Sequence, residues 1–123
     1  MVATGDGLAG KRILVVEDQY LLAADLKRTL ERCGATVIGP VPTAERAVAL
    51  IPGALPLDGA ILDVNLEAGG SGYPVADLLR DLHVPFVFAT GYDSGSISPN
   101  FRDVVNIGKP YDLKRLENVL CRR

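Results

Sequence analysis

From Gly59 to Leu66 the chain reads Gly-Ala-Ile-Leu-Asp-Val-Asn-Leu, a short apolar run cut off by a carboxylate. An apolar run this short and this continuous is the pattern of a strand covered on both faces, as in a parallel sheet. Asp63 is then the first residue able to leave the sheet. In open α/β sheets, ligands bind just beyond the carboxyl ends of the strands. The run Arg12 to Val16 ends the same way, on Glu17 and Asp18. Two acid-tipped strands in one chain predict one acidic pocket.

The 123 residues are enough for one domain with a core of its own. Thirteen Lys and Arg against fifteen Asp and Glu leave a net charge of −2, which offers nothing to nucleic acid. No apolar run approaches the roughly 18 residues of a membrane span. Met1 to Gly10 lacks the apolar core of a signal peptide. Cys33 and Cys121 fit no metal or redox motif and read as free, unreactive thiols. The expectation is a soluble, cytoplasmic protein with neither a nucleic-acid nor a membrane partner.

Along the chain, residues 1–10 read as a flexible tail and residues 11–123 as the domain. A strand is expected over Lys11 to Val16. A helix follows over Gln19 to Cys33, with Leu22, Leu26, Leu30 and Cys33 facing the sheet and Gly34 as its stop. Leu21 and Ala24 lie off that stripe, either as scattered surface hydrophobes or as a docking patch beside the pocket. A second strand, Ala35 to Gly39, is ended by Pro40 and Pro42. Thr43 caps a second helix carrying Ala44, Ala47, Val48 and Ile51 inward and ending at Pro52-Gly53. The third strand runs into Asp63, and Gly69, Gly70 and Gly72 after it read as a flexible loop. The glycines do not form a dinucleotide fingerprint. A third helix spans Tyr73 to Leu82, with Val75, Leu78, Leu79 and Leu82 inward.

His83, the only histidine, has no partner for a zinc site or a nucleophile pair and reads as a surface or structural residue. A fourth strand, Pro85 to Ala89, ends at Thr90-Gly91. The stretch Tyr92 to Arg102 is a poor helix sequence. A fifth strand, Val104 to Ile107, leads to Gly108-Lys109-Pro110, and a last helix runs from Asp112 to Cys121. Strands alternating with helices make an α/β fold with a parallel sheet and helices on both faces. Right-handed crossovers narrow it to a flavodoxin-like, three-layer sandwich with five strands in the order 2-1-3-4-5, which sets strands one and three side by side.

The strand ends then carry Glu17, Asp18, Asp63, Thr90 and Lys109. Three carboxylates in one pocket repel, and a hard divalent cation removes the conflict. Mg²⁺ takes octahedral oxygen ligands and keeps several waters. Asp18 and Asp63 are the direct ligands, Glu17 acts through water, and the Asn65 backbone carbonyl turns back toward the ion. Asp63 is left as a nucleophile with a hydroxyl and an ammonium beside it, which is equipment for phosphoryl transfer to a carboxylate. Mg²⁺, Thr90 and Lys109 would each neutralise or bond one phosphoryl oxygen. No general base is needed, because a carboxylate attacks already ionised.

The Glu17-Asp18 pair, Asp63, Thr90 followed by Gly91, and Lys109-Pro110 together resemble the receiver domain of two-component response regulators. The resemblance covers residues 11 to 121. It implies Asp63 as phosphoacceptor, Mg²⁺ as cofactor and a cis Lys109-Pro110 bond. It also implies a phosphohistidine donor, on a sensor histidine kinase or a histidine phosphotransfer protein, and a downstream protein target that the sequence does not name. Such a domain is not an enzyme toward others; it catalyses only its own phosphorylation and dephosphorylation. The chain departs from the common pattern in three places. Its acid pair is Glu-Asp rather than Asp-Asp. The loop after Asp63 lacks the usual Pro-Gly. Asn106 stands where receivers usually carry a switch aromatic. Phe88-Ala89-Thr90-Gly91 looks like a subgroup of receivers with a modified switch. With no ring at 106, the response is expected to fall on Tyr92 to Arg102, with Tyr92 as a cover over the pocket.

Two other functions share this fold. A Mg²⁺-dependent phosphohydrolase with an aspartyl intermediate would need a second acid two residues after the nucleophile, where Asn65 stands. A phosphorylation-independent binding module would normally have lost Asp63 or Lys109. Met1 and the short tail favour a stand-alone regulator over an excised receiver.

Overall fold

The computed structural model describes residues 8–66, 70–90 and 97–107. The expected last helix, Asp112 to Cys121, and the Lys109-Pro110 bond lie outside the described residues, as do Tyr92 and residues 1–7.

Strands β1 (Arg12–Val16), β2 (Thr36–Val41), β3 (Gly59–Leu62) and β6 (Phe86–Phe88) form one parallel sheet in the order β2-β1-β3-β6. Helices α1 (Tyr20–Arg32), α2 (Ala44–Ala54) and α3 (Tyr73–Asp81) connect them. Side chains alternate across the strands, and each face finds its own cover. Ile13, Val15, Ile61 and Val87 pack with Leu26 and Leu30 of α1. Leu14, Val16, Ala60, Leu62 and Phe88 pack with Ala47 and Ile51 of α2 and Val75 and Leu79 of α3. Burial on both faces is why β3 and β1 from Ile13 onward are apolar without interruption. The layers and strand order are those of the flavodoxin-like fold expected from the sequence.

Several boundaries move for physical reasons. Within the expected tail, Leu8 is fully buried with the α1 cluster, and the Gly10 N–H donates to the Gly34 carbonyl at 2.9 Å. On α1, Ala23 is buried and Leu22 only half-buried. Strand β2 does not stop at Pro40 but runs to Val41, across a register shift against β1. Pro40 is tolerated because β2 is an edge strand and the irregularity leaves its missing N–H without a ladder partner. Gly39 makes the irregularity possible: its φ is +98°, and a Cβ there would press on the Val41 nitrogen and the Val15 carbonyl.

Thr43 caps α2 as expected, its Oγ1 accepting the Arg46 N–H at 3.1 Å. The helix then passes through Pro52 and Gly53 to Ala54. Ile51 and Ala54 are buried there, and Arg12 donates to the carbonyls of Ala54 at 2.7 Å and Pro56 at 2.8 Å. A cation on the last carbonyls satisfies a helix C-terminus. Val48 and Leu82, expected inside, are exposed.

Two further differences bear on function. The expected loop after Asp63 contains an antiparallel pair, β4 (Asn65–Leu66) with β5 (Gly70–Ser71). Leu66 is 1 % exposed. Burying a leucine contributes about 2 kcal/mol, enough to hold a short hairpin down. The fifth strand is reduced to a single parallel bridge between Phe88 and Asn106. Phe88 donates to the Val105 carbonyl and accepts from the Ile107 N–H, at 2.9 and 2.8 Å. A continuing parallel ladder would next join the Thr90 N–H to the Ile107 carbonyl. Thr90 instead donates to Asn106 Oδ1 at 3.2 Å, and the pairing stops.

Candidate functional site

Strand pairing brings the two acid tips together. β1 and β3 are neighbours in register, Val16 opposite Leu62. Beyond that pair the Asp63 N–H donates to the Val16 carbonyl at 3.0 Å, and the Glu17 N–H donates to Val41 across the other side. Glu17, Asp18 and Asp63 thus leave the sheet at one point, and one oxygen from each lies within 4.8 Å of the others. Glu17 and Asp63 are each 4 % exposed; Asp18 is half-buried and borders the solvent.

Local bonds hold the carboxylates in place. Glu17 Oε2 accepts the Gln19 N–H at 3.0 Å. Asp63 Oδ1 accepts the Asn65 N–H, also at 3.0 Å. The second bond is an Asx turn, and it folds the chain back so that Asn65 stays beside the carboxylate. Hard, anionic oxygens from adjacent strand ends are the donor set of a hard cation. The cluster can hold a metal ion, whose charge would offset the mutual repulsion of three acids.

Thr90 sits two residues past β6 and is 4 % exposed. Its strand is held in line by the Ala89 N–H bonding to Leu62 at 2.8 Å. Lys109 lies outside the described residues. The structure therefore gathers Glu17, Asp18, Asp63 and the Asn65 turn in one place and puts Thr90 at the end of the adjoining strand.

Two residues gain a role that their sequence context hides. Gly72 looked like loop flexibility. It is buried, and a Cβ there would overlap the Asp63 carbonyl oxygen. Its N–H donates to Val64 at 2.9 Å, so the end of the hairpin is pressed against the base of the acid. Asn106 looked like a missing ring. Its side chain is the acceptor that fixes the backbone at Thr90. The only sequence signal for Gly72 was its place between Ser71 and the Tyr73-Pro74 helix start. For Asn106 there was none.

A parallel sheet with helices on both faces and an acid cluster at its carboxyl edge defines a flavodoxin-like protein whose cluster could hold a cation. No protein-family model matches the chain. The solution structure of SdrG from Sphingomonas melonis Fr1 is 39 % identical, with a TM-score of 0.78 over 90 % of this chain and 93 % of that one. The receiver (REC) domain of Erythrobacter litoralis PhyR response regulator is 22 % identical, with a TM-score of 0.74 over 90 % and 87 %, and speaks for the fold alone. The phyllosphere-induced regulator PhyR of Methylorubrum extorquens is 37 % identical over 81 residues, 65 % of this chain. The chain spans 30 % of the length of that relative. The chain belongs to the receiver domains of response regulators. Membership supports the phosphoacceptor receiver role expected from the sequence. Among the described residues, no helix is long and apolar enough to cross a membrane.

Proposed function

We propose that this receiver takes a phosphoryl group from a phosphohistidine onto Asp63 in the presence of Mg²⁺ and signals by the conformational change that follows. The observation that carries the reading is the convergence of Glu17, Asp18 and Asp63 within 4.8 Å at adjoining strand ends. Asp18 and Asp63 would hold the ion directly together with the Asn65 carbonyl, and Glu17, already bonded to Gln19, would act through water.

An Asp63 oxygen forms the new bond to phosphorus as the phosphorus–nitrogen bond of the donor breaks, and the electron pair of that bond stays on the imidazole. A divalent cation held there would neutralise charge on the phosphoryl oxygens. Thr90 and Lys109 each bond one of those oxygens. The chain acts on no other substrate; it catalyses only its own phosphorylation and dephosphorylation. The donor is a sensor histidine kinase or histidine phosphotransfer protein, and the setting is the cytoplasm.

The test is phosphate uptake from acetyl phosphate, read by intact mass with Mg²⁺ and again after chelation. One acid-stable, base-labile phosphoryl group per chain is expected, and only with the metal. No uptake, or uptake indifferent to chelation, would overturn the reading.

Mg²⁺ binding should depend more on Asp18 than on Glu17. Outer partners of a metal are worth about 10- to 100-fold in affinity, and losing a direct ligand to an ion with few of them should cost at least as much. Asp18→Ala should therefore titrate well to the right of Glu17→Ala. Curves that coincide for wild type and Asp18→Ala would exclude this ligand set.

The donor's landing place is the start of α1. Tyr20 and Leu21 are 81 % and 78 % exposed. Beside them is a groove of about 420 Å³ lined by Ala23, Ala24, Pro40 and Pro42, with Glu17 and Asp18 at its edge. An apolar patch rimmed by charge suits a transient protein interface. Leu21→Asp should slow phosphotransfer from the cognate kinase while leaving uptake from acetyl phosphate unchanged. Wild-type transfer from the kinase in that variant would place the interface elsewhere.

A further inference from the structure

The acceptor site has two boundaries, the hairpin and β6, and both end on the same pair of rings. One boundary is the hairpin. It leaves the sheet at Asp63, pairs Asn65 with Ser71 and Leu66 with Gly70, and returns at Gly72 against the Asp63 carbonyl. The next residue is Tyr73, the first of α3. The other boundary is β6, whose Phe88 lies two residues before Thr90.

Tyr73 reaches away from the site. Its hydroxyl accepts the Ser98 N–H at 2.7 Å. Its ring lies parallel to Phe101, with centroids 5.2 Å apart and planes at 4°. Phe88 meets both rings edge-on, at 6.1 Å from Tyr73 and 5.8 Å from Phe101. A short 3₁₀ turn over Pro99–Phe101 thus hangs from the residue that ends the acceptor hairpin.

Arg80, seven residues along and so on the same helix face, supplies a second tether. It donates to the Asn100 carbonyl at 3.1 Å and to Asp103 at 3.1 Å, and lies 4.8 Å over the Phe101 ring. Both members of that ion pair are exposed, so it holds position more than it adds stability. The turn at 98–103 is fastened to α3 at Tyr73, close to the site, and at Arg80, far from it.

We propose that Tyr73 is the positioning residue through which the state of Asp63 reaches the Ser98–Phe101 turn. This rests on Asp63 being the acceptor. A group added at Asp63 displaces the hairpin, Gly72 has no clearance to absorb the displacement, and the start of α3 moves with it. The Tyr73 hydroxyl and ring carry the shift to Ser98 and Phe101. Phe88 adds to it when Thr90 turns toward the phosphoryl group. Packed rings pass on small shifts because an interior of this density has little room to deform.

The test compares amide spectra with Mg²⁺ alone and with Mg²⁺ plus beryllofluoride, for wild type and Tyr73→Phe. The substitution keeps the ring stack and removes the acceptor of the Ser98 N–H. In wild type, shifts are expected at Asp63, Asn65 and Thr90 and also at residues 98–101. In Tyr73→Phe the first set should remain and the second should be diminished, most of all at Ser98, whose N–H loses its acceptor. A purely structural tyrosine would change the spectrum at 98–101 before beryllofluoride is added but leave the added change intact. An undiminished change at 98–101 in the variant, or none there in wild type, overturns the relay while leaving Asp63 as acceptor. No change at Asp63 in wild type removes the acceptor and the relay together. Should Tyr73→Phe fail to fold, Ser98→Pro decides by the same criteria. It removes the donor from the other side, and the Ser98 φ of −55° suits proline.

Discussion

Asp63→Asn should take up no phosphate at all from acetyl phosphate and Mg²⁺, where wild type gains one group per chain by intact mass. An amide is a poor nucleophile, and the substitution removes the charge that attacks while preserving size and shape. It should not fail by unfolding. Asn Oδ1 can still accept the Asn65 N–H that Asp63 Oδ1 accepts at 3.0 Å. The variant also relieves repulsion. Two unit charges within 4.8 Å of each other at an effective dielectric of about 20 repel by on the order of 3 kcal/mol or more. Without metal, the variant should therefore melt at or above the wild-type temperature. Phosphate retained by Asp63→Asn, on any side chain, would move the acceptor elsewhere. A variant that melts far below wild type in chelator would show that the three acids do not repel as placed.

Gly72→Ala should damage the same site without touching a reacting group. The backbone at Gly72 has φ −83° and ψ 0°, a conformation that L residues adopt at the third position of type I turns and that needs no glycine. The difficulty is space. The new methyl would overlap the Asp63 carbonyl oxygen, sit 3.3 Å from its carbon and 3.6 Å from Val64 Cα. These are backbone atoms at the end of β3 and cannot swing aside. Overpacking of this kind costs about 1–3 kcal/mol. A misplacement of about 1 Å can lower a rate 100-fold. The expected result is a loss of several degrees in melting temperature and a large fall in the rate of phosphate uptake. Gly53→Ala is the control, since nothing lies within 4 Å of its Cβ position and it sits inside α2. Alanine there should be neutral or stabilise by up to about 1 kcal/mol. Wild-type uptake by Gly72→Ala would mean that the close approach does not position Asp63.

The parts of this protein readable from its sequence are those decided within a few residues. Strands β1 and β3 announce themselves as apolar runs because both faces are covered, and the acid that ends each run marks where cover stops. Thr43 caps α2 through a bond only three residues long. The boundaries that moved are those set by distant partners. Pro52 and Gly53 look like a helix end until Arg12, forty-two residues away, is seen bonding Ala54. Pro40 looks like a strand end until β2 is known to be an edge.

By itself, the sequence determined the layered fold and the acids that meet at its edge, because periodicity chooses the element and strand order then brings Glu17, Asp18 and Asp63 together. Only the tertiary structure decided what surrounds and follows from that site. It set Gly72 against Asp63, bonded Thr90 to Asn106 across sixteen residues and Tyr73 to Ser98 across twenty-five, and cut the fifth strand to one bridge. Each of these depends on clearance or on a hydrogen bond between groups far apart in the chain. No local pattern names the far partner, and the distance between them exists only once the sheet has formed.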